Sequence, residues 1–528
     1  MGHMTLVLRL ALTPAALLWS AVAACDAPKQ RDAVEISHGL QRASSTAYTD
    51  TGATDDAISM RALVAFPIRD EAGLEATISA LYDPARPEFR TYLSVAEWNL
   101  RHAPLQADVD VVIDWLRGEG FEIARVADNR LLVEITGPAA AFNDAFSTEL
   151  RTFVKEDDPD FWTAGTRTDL YAPQAIADRI AALVVADPIA DSSPLPPESG
   201  SIVETAPDST RLTLASVGHA YGFDAAGADG DGVTLGVVAG ASLKLKDVQS
   251  FWRSQSITRP DPTLVNTMEP PATRYTETTL DVEWAGGLAP GADLIAYLGP
   301  DAHDTSLVYT FNYAIADGRA HVISDSFAHR EDATPRVIRN TYHASAEMAA
   351  ALGITLVAAA GDSGEPDVPS SSPLVTSVGG TVLTLDASGE RSDESGWSFS
   401  GAGDSLSFDM PWWQGQLGLA DKRAVSDVAL AANKYWTYVF GEWKALGGTS
   451  FAAPSFAALI AVVDSARIAR GKPAVGFLNS TLYTNAAVQA AFRDVVTGGT
   501  ASRSAAPGWD YPTGWGAPSA PSLIEALP

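Results

Sequence analysis

The sequence predicts two folded units in series, an α+β unit followed by a larger α/β domain built on a parallel sheet with helices on both faces. Three observations carry this. Beyond about residue 211, short continuously apolar runs alternate with helical stretches, which is the pattern of buried parallel strands joined by crossovers. A Ser-, Pro- and Glu-rich break, Ser192-Ser193-Pro194-Leu195-Pro196-Pro197-Glu198-Ser199-Gly200, cannot bury enough surface to stay folded and separates the two units. A length of 528 residues, 46% hydrophobic and only 19% charged, suits two or three domains with sizeable cores.

The elements follow in order. Residues 1–24 read as a signal peptide: Arg9 precedes an apolar stretch, Leu10 to Ala24, long enough for a signal h-region and short for a membrane span. Val22-Ala23-Ala24-Cys25 fits a bacterial lipoprotein cleavage site, with Cys25 as the lipidated residue. Ala21-Val22-Ala23 equally fits an ordinary one, and both readings stand. Cys25 is the only cysteine, so no internal disulfide forms. Residues 25–57 are expected to be a linker and 58–190 the α+β unit. Strands are predicted at Ala62–Phe66 and Arg130–Ile135, and helices at Glu71–Leu81, Ala107–Gly118 and Pro138–Phe146. Residues 191–210 form a second linker and 211–528 the α/β domain. There the apolar runs Val233–Ala239, Asp293–Leu298, Val322–Ser326 and Thr355–Ala360 predict strands. Tyr275–Leu288, Ser306–Asp317 and Arg336–Leu352 predict helices between them.

Charge excludes one class of partner. With 36 Lys and Arg against 65 Asp and Glu, and no basic cluster, the chain repels phosphate backbones and is not expected to bind nucleic acid.

Chemistry concentrates in three places. Gly447-Gly448-Thr449-Ser450-Phe451-Ala452-Ala453-Pro454 precedes an apolar helix, Ser455 to Val463. It sets Ser450 at a helix N-terminus, where free backbone N–H groups can hold an oxyanion. Pro454 is expected in the first turn, which needs no intrahelical N–H. A nucleophilic serine needs a base, and none of the eight histidines lies in a His-Gly-Thr context. Glu277 and Asp281, four apart, share one helix face with Trp284 and Leu288. If that face is buried, repulsion makes the two acids share a proton, which suits a base working in mild acid. Gly361-Asp362-Ser363-Gly364 puts Asp362 at the carboxyl end of an apolar strand, either bracing its own turn or held protonated as a hydrogen-bond donor.

Glu277, Asp281, the Gly361–Gly364 turn and Gly448-Thr449-Ser450 follow one another as in the sedolisins, or serine-carboxyl peptidases, which this chain resembles. Ala285-Gly286-Gly287-Leu288-Ala289-Pro290-Gly291-Ala292, Val375-Thr376-Ser377-Val378-Gly379-Gly380-Thr381 and Trp443-Lys444-Ala445-Leu446 are similar to further family signatures. Asp83-Pro84, Pro87, Tyr92-Leu93-Ser94 and Trp115-Leu116 resemble the kumamolisin-like activation prodomain. The resemblance implies a subtilisin-like catalytic fold, a ferredoxin-like prodomain over 58–190 and a processing linker over 191–210. It makes Ser450 the nucleophile, Glu277 its base, Asp281 the support of Glu277, and Asp362 the oxyanion acid. It also implies one structural Ca²⁺, held by the side chains of Asp494 and Asp510 and the carbonyls of Val495, Ala506 and Gly508, with Ala506 where a glycine is usual. Two further departures, Ser324-Asp325-Ser326-Phe327-Ala328 and Gly401-Ala402-Gly403-Asp404-Ser405, bear on substrate binding.

The expected protein is thus an acid-acting, self-processing endopeptidase. It is extracytoplasmic and a monomer, secreted or lipid-anchored at Cys25, acts on peptides or proteins, and is inhibited by its own prodomain. A tripeptidyl peptidase and an inactive binding protein on the same fold are the alternatives. An aspartic peptidase, with Asp50-Thr51-Gly52 and Asp362-Ser363-Gly364 as paired motifs, is disfavoured because no apolar strand leads into Asp50. A metallopeptidase lacks any His-Glu-x-x-His.

Overall fold

The computed structural model describes residues 33–38, 48–155, 158–188, 202–203, 211–271, 276–419 and 421–527. The signal segment, Cys25 and all of the 191–210 linker except Ile202–Val203 lie outside the described residues.

The first unit is a four-stranded antiparallel sheet. Its strands Ser59–Ala65, Glu122–Val126, Leu132–Pro138 and Ala182–Pro188 lie in the spatial order second, third, first, fourth. Helices Gln106–Gly118 and Ala139–Phe146 make the crossovers, so the unit is the expected ferredoxin-like one. Strand alternation divides its two faces. Met60, Ala62, Val64, Val133 and Ile135 point into the unit's own core with Val112, Leu116, Phe142 and Phe146. Leu63, Ala65, Leu132 and Val184 point the other way and merge with the core of the second domain. There the sheet lies on helices Asp304–Ala316 and Arg336–Leu352.

The stretch 25–57 is not all linker. Ala33–Ile36 pairs antiparallel with Leu170–Pro173, and Tyr48–Ala53 pairs with Arg151–Lys155. These strands were missed because Tyr48-Thr49-Asp50-Thr51-Gly52-Ala53 carries β-branched and aromatic residues without an apolar alternation. Asp50 is bound by Arg151 (2.8 Å) and Arg167 (2.6 Å). The hydrogen bond from Arg151, followed by that from the Gly52 N–H, pulls its carboxyl down to about 2 in spite of some desolvation. It is a structural ion of the first unit, which removes the aspartic-peptidase pairing.

The second domain is an eight-stranded sheet in the order Thr263–Asn266, Asp293–Leu298, Thr234–Ala239, Val322–Asp325, Thr355–Ala359, Thr376–Leu385, Arg391–Gly396, with Val428–Ala431 also pairing Thr376–Leu385. All neighbours are parallel except the Thr376–Leu385/Arg391–Gly396 pair. Helices cover both faces. Thr276–Leu288 and Thr449–Ile468 pack together on one, and Asp304–Ala316 and Arg336–Leu352 carry the first unit on the other. Every residue of Thr276–Leu288 is buried, with Trp284 edge-on to Tyr435 at 4.4 Å. Thr449–Ile468 holds an 18-residue stretch of mean hydropathy 1.5 and could span a membrane by length and composition, but 89% of that stretch is buried in this core.

Candidate active site

Three structural elements converge on the first residues of the Thr449–Ile468 helix. Gly448, its N-cap, has φ 150°, a backbone angle that favours glycine, and this lets the strand Glu442–Gly447 turn into the helix. Ser450 is the second helical residue and is 8% exposed. The helix begins six residues earlier than Ser455, so Pro454 is not in the first turn as expected but inside the helix. Its missing N–H is the one that would bond the carbonyl of Ser450, four residues back. That carbonyl is left open at the mouth of the site, where the Ser326 hydroxyl approaches it at 3.4 Å.

Glu277 and Asp281 enter from the neighbouring helix. They are 5% and 0% exposed, so the shared face is buried. The Ser326 hydroxyl donates to Asp281 Oδ1 at 2.7 Å, which ties the acid to the same serine that touches the Ser450 carbonyl. Burial, and after it the charge of Glu277, holds the Asp281 carboxyl well above the usual carboxylate range; the Ser326 hydrogen bond acts in the opposite direction. Two acids one helical turn apart in a dry interior cannot both ionise easily. The pair therefore binds a proton readily.

Asp362 approaches from the turn after Thr355–Ala359. Its Oδ1 accepts both the backbone N–H (2.8 Å) and the hydroxyl (2.7 Å) of Thr449. Its Oδ2 is shut off from solvent with no hydrogen-bond partner. Burial pushes the Asp362 carboxyl up to about 6, against the pull of the two Thr449 hydrogen bonds. Asp367 packs its carboxyl against Gly361, where a Cβ would lie 2.5 Å from the Asp367 Cγ, so only glycine fits there. Burial, followed by the charge of Asp362, pushes Asp367 up to about 8.

Among the described residues no histidine is hydrogen-bonded to Glu277, Asp281, Asp362 or Ser450. His219 pairs with Asp224 and Glu390, His329 with Asp304, and His343 with Ser372. Sequence reasoning placed Glu277, Asp281, Asp362 and Ser450 on this site. It set Ser326 in a stretch bearing on substrate binding and Thr449 in the motif before the helix, and did not foresee their bonds to Asp281 and Asp362. Ser326 follows the end of an apolar strand, where sites in such sheets gather, and Thr449 lies inside the motif already singled out.

The implied calcium ligands also gather. Gly508 N–H donates to Asp494 Oδ2 (2.8 Å) and Ala506 N–H to Asp510 Oδ2 (2.9 Å). The Thr513 hydroxyl lies between Asp510 Oδ1 (2.9 Å) and the Val495 carbonyl (3.5 Å). Burial pushes Asp510 up to about 6, and the charge of Asp494 adds to this. Ala506 is not among the residues with positive φ, so alanine serves there. Among the described residues no three His, Cys, Asp or Glu side chains cluster as a metal site, so a cation here would depend on backbone carbonyls. Two facing acids, carbonyls and no soft ligand fit Ca²⁺.

Comparison with known proteins agrees with this geometry. Residues 46–185 match the "Pro-kumamolisin, activation domain" family and residues 272–516 the "Subtilase family". The chain is 30% identical to kumamolisin from Bacillus sp. (strain MN-32), over 94% of this chain and 97% of that protein. The chain belongs to the sedolisin family. As a sedolisin it is a serine-carboxyl peptidase with an activation prodomain on a subtilisin-like fold. A solved structure of Pseudomonas sedolisin, a serine-carboxyl proteinase complexed with two molecules of pseudo-iodotyrostatin, superposes with a TM-score of 0.55 at 26% identity. The superposition covers 61% of this sedolisin and 99% of that chain. Tripeptidyl-peptidase 1 of Bos taurus is 29% identical over 48% of this chain and 51% of its own length.

Proposed function

We propose that this sedolisin is an acid-acting endopeptidase, made as a self-processing zymogen, with Ser450 as nucleophile. One observation carries the reading: Asp281 is bonded to Ser326, whose hydroxyl lies 3.4 Å from the Ser450 carbonyl, and Asp362 is bonded to Thr449, so acids from two elements meet at the first two residues of the helix that bears Ser450. The Ser450 Oγ attacks the scissile carbonyl carbon as Glu277 takes its proton, and Asp281 supports Glu277. Asp362, protonated on Oδ2, donates to the oxyanion. Collapse of the tetrahedral intermediate breaks the C–N bond, the proton on Glu277 passes to the leaving amine, and an acyl-enzyme remains on Ser450 for water to hydrolyse. Asp362 loses its proton as pH rises through about 6, and with it the oxyanion donor, so activity belongs to mild acid.

Self-processing is supported by the linker's Ile202–Val203, which pairs antiparallel with Gly447 and Leu446, the strand end that leads into Ser450. The match to a tripeptidyl-peptidase over half its length keeps the second reading in view. Asp494, Val495, Ala506, Gly508 and Asp510 would hold one structural Ca²⁺, which offsets the repulsion of the two acids. The apolar leader supports an extracytoplasmic enzyme, a monomer acting on peptides or proteins.

Shifting purified precursor to about pH 4, where carboxylates titrate, should process the wild type and leave Ser450→Ala intact. Equal processing of both rejects self-cleavage by Ser450. The processed enzyme should cut a peptide with a blocked N-terminus; failure on that peptide with release of tripeptides from a free one selects the second reading.

A further inference from the structure

Beyond the four residues of the proposed mechanism, Thr449 occupies a determined position. We infer that Thr449 is a positioning residue that confines the Asp362 proton to Oδ2 and so sets the upper pH limit of the reaction. The inference rests on the reading of Asp362 as the oxyanion acid.

The geometry leaves the Thr449 hydroxyl no choice. Its oxygen accepts the Gly361 N–H at 3.2 Å, so its single proton goes to Asp362 Oδ1 at 2.7 Å. The Thr449 backbone N–H reaches the same oxygen at 2.8 Å. An oxygen that already accepts two hydrogen bonds is the poorer site for a proton. Oδ2, shielded from solvent and unpartnered, is the better one. The carboxyl is thus held with its O–H end free.

The charges around it are few. The helix that begins at Thr449 has no acidic residue in its first turn. Asp367 faces Asp362 across Gly361, and His329, Arg330 and Asp332 in turn face Asp367. Glu365 is exposed in the same loop. None of these donates a hydrogen bond to Asp362; Thr449 supplies both. Hydrogen bonds to an ionised carboxylate stabilise it, so Thr449 makes Asp362 give up its proton at a lower pH than burial alone would allow.

The test is kcat against pH for processed wild type, Thr449→Val, Thr449→Ser and Asp362→Asn. Thr449→Val should move the high-pH limb upward by about one pH unit and lower kcat on the acid plateau, because the acid is less well aimed. Thr449→Ser should keep the wild-type limb. A Thr449→Val limb that stays in place or moves down overturns the inference. In Asp362→Asn the limb should vanish from the residual activity; if it persists, the reading of Asp362 itself fails. Should Thr449→Val not process, the carboxyl C=O stretch lost in Asp362→Asn can be titrated by infrared in Ser450→Ala precursor. Its midpoint should rise when Thr449→Val is added, and an unchanged midpoint rejects the role.

Discussion

The Ser326 hydroxyl has one proton to give and two oxygens within reach, Asp281 Oδ1 at 2.7 Å and the Ser450 carbonyl at 3.4 Å. The shorter contact is to the acid. Ser326→Ala should therefore lower kcat of the processed enzyme ~10- to 100-fold, the worth of a hydrogen bond to a charged group, with KM little changed. Ser326 also favours the ionised form of Asp281, so its loss raises the pH at which the pair gives up its proton. The low-pH limb should move upward, and a kcat–pH profile that overlies wild type would remove Ser326 from the site. At this scale the sequence was informative about Glu277 and Asp281, because helical periodicity alone put them on one face. It could not place Ser326 against Ser450, since that contact depends on Pro454 opening a carbonyl 124 residues away in the chain.

Among the elements, the segment from Asp494 to Asp510 folds back so that its own N–H groups bond its two acids. A bound cation would replace their mutual repulsion with attraction. Adding a strong calcium chelator to precursor at neutral pH should lower the thermal midpoint, and excess Ca²⁺ should restore it. Asp510→Asn should start lower and be insensitive to the chelator; a wild-type midpoint indifferent to chelation argues against the ion. Helices with a clear one-sided pattern, Glu71–Leu81 and Arg336–Leu352, were readable from the sequence to the residue. The Ser450 helix was read too short, from 455 to 463 against Thr449–Ile468. It is buried nearly all round, and without a polar face nothing in the pattern marks its ends.

Across the whole molecule, the two domains are joined by a cluster of ions. Arg61 of the prodomain contacts Glu134 (3.2 Å), Glu269 (3.1 Å) and Asp301 (3.3 Å), and Arg125 contacts Glu134 (2.6 Å) and Glu269 (3.0 Å). Burial tends to raise Glu269, yet its backbone hydrogen bond and the two arginines bring it below the usual value. Burial likewise opposes Asp301, which His303, Arg61 and Ser306 hold far down. Both catalytic-domain acids thus have depressed values when docked. The share of that depression due to the prodomain's Arg61 and Arg125 exists only when docked, and its contribution to docking is full above the undocked pKa and lost as pH falls through the docked one. Glu134, raised mainly by burial, acts in the other direction and blunts the effect. Glu269→Gln precursor should release its prodomain at a less acidic pH, followed by size-exclusion chromatography across a pH series; an unchanged midpoint would show that the cluster does not hold the prodomain. Arg61 and Glu134 alternate with the apolar residues Leu63 and Leu132 on the docking face. With both faces of the sheet buried, the sequence could not say which one meets the catalytic domain.

The placement of Ser450 at the mouth of an enclosed helix has a consequence for how this enzyme ages. Thermal agitation cannot nudge the reactive hydroxyl out of line by loosening a surface loop, because the rod that bears it is wedged into the interior from Phe451 to Val463. Misalignment of this residue therefore follows the loss of the buried helix itself rather than the fraying of an outer strand or turn.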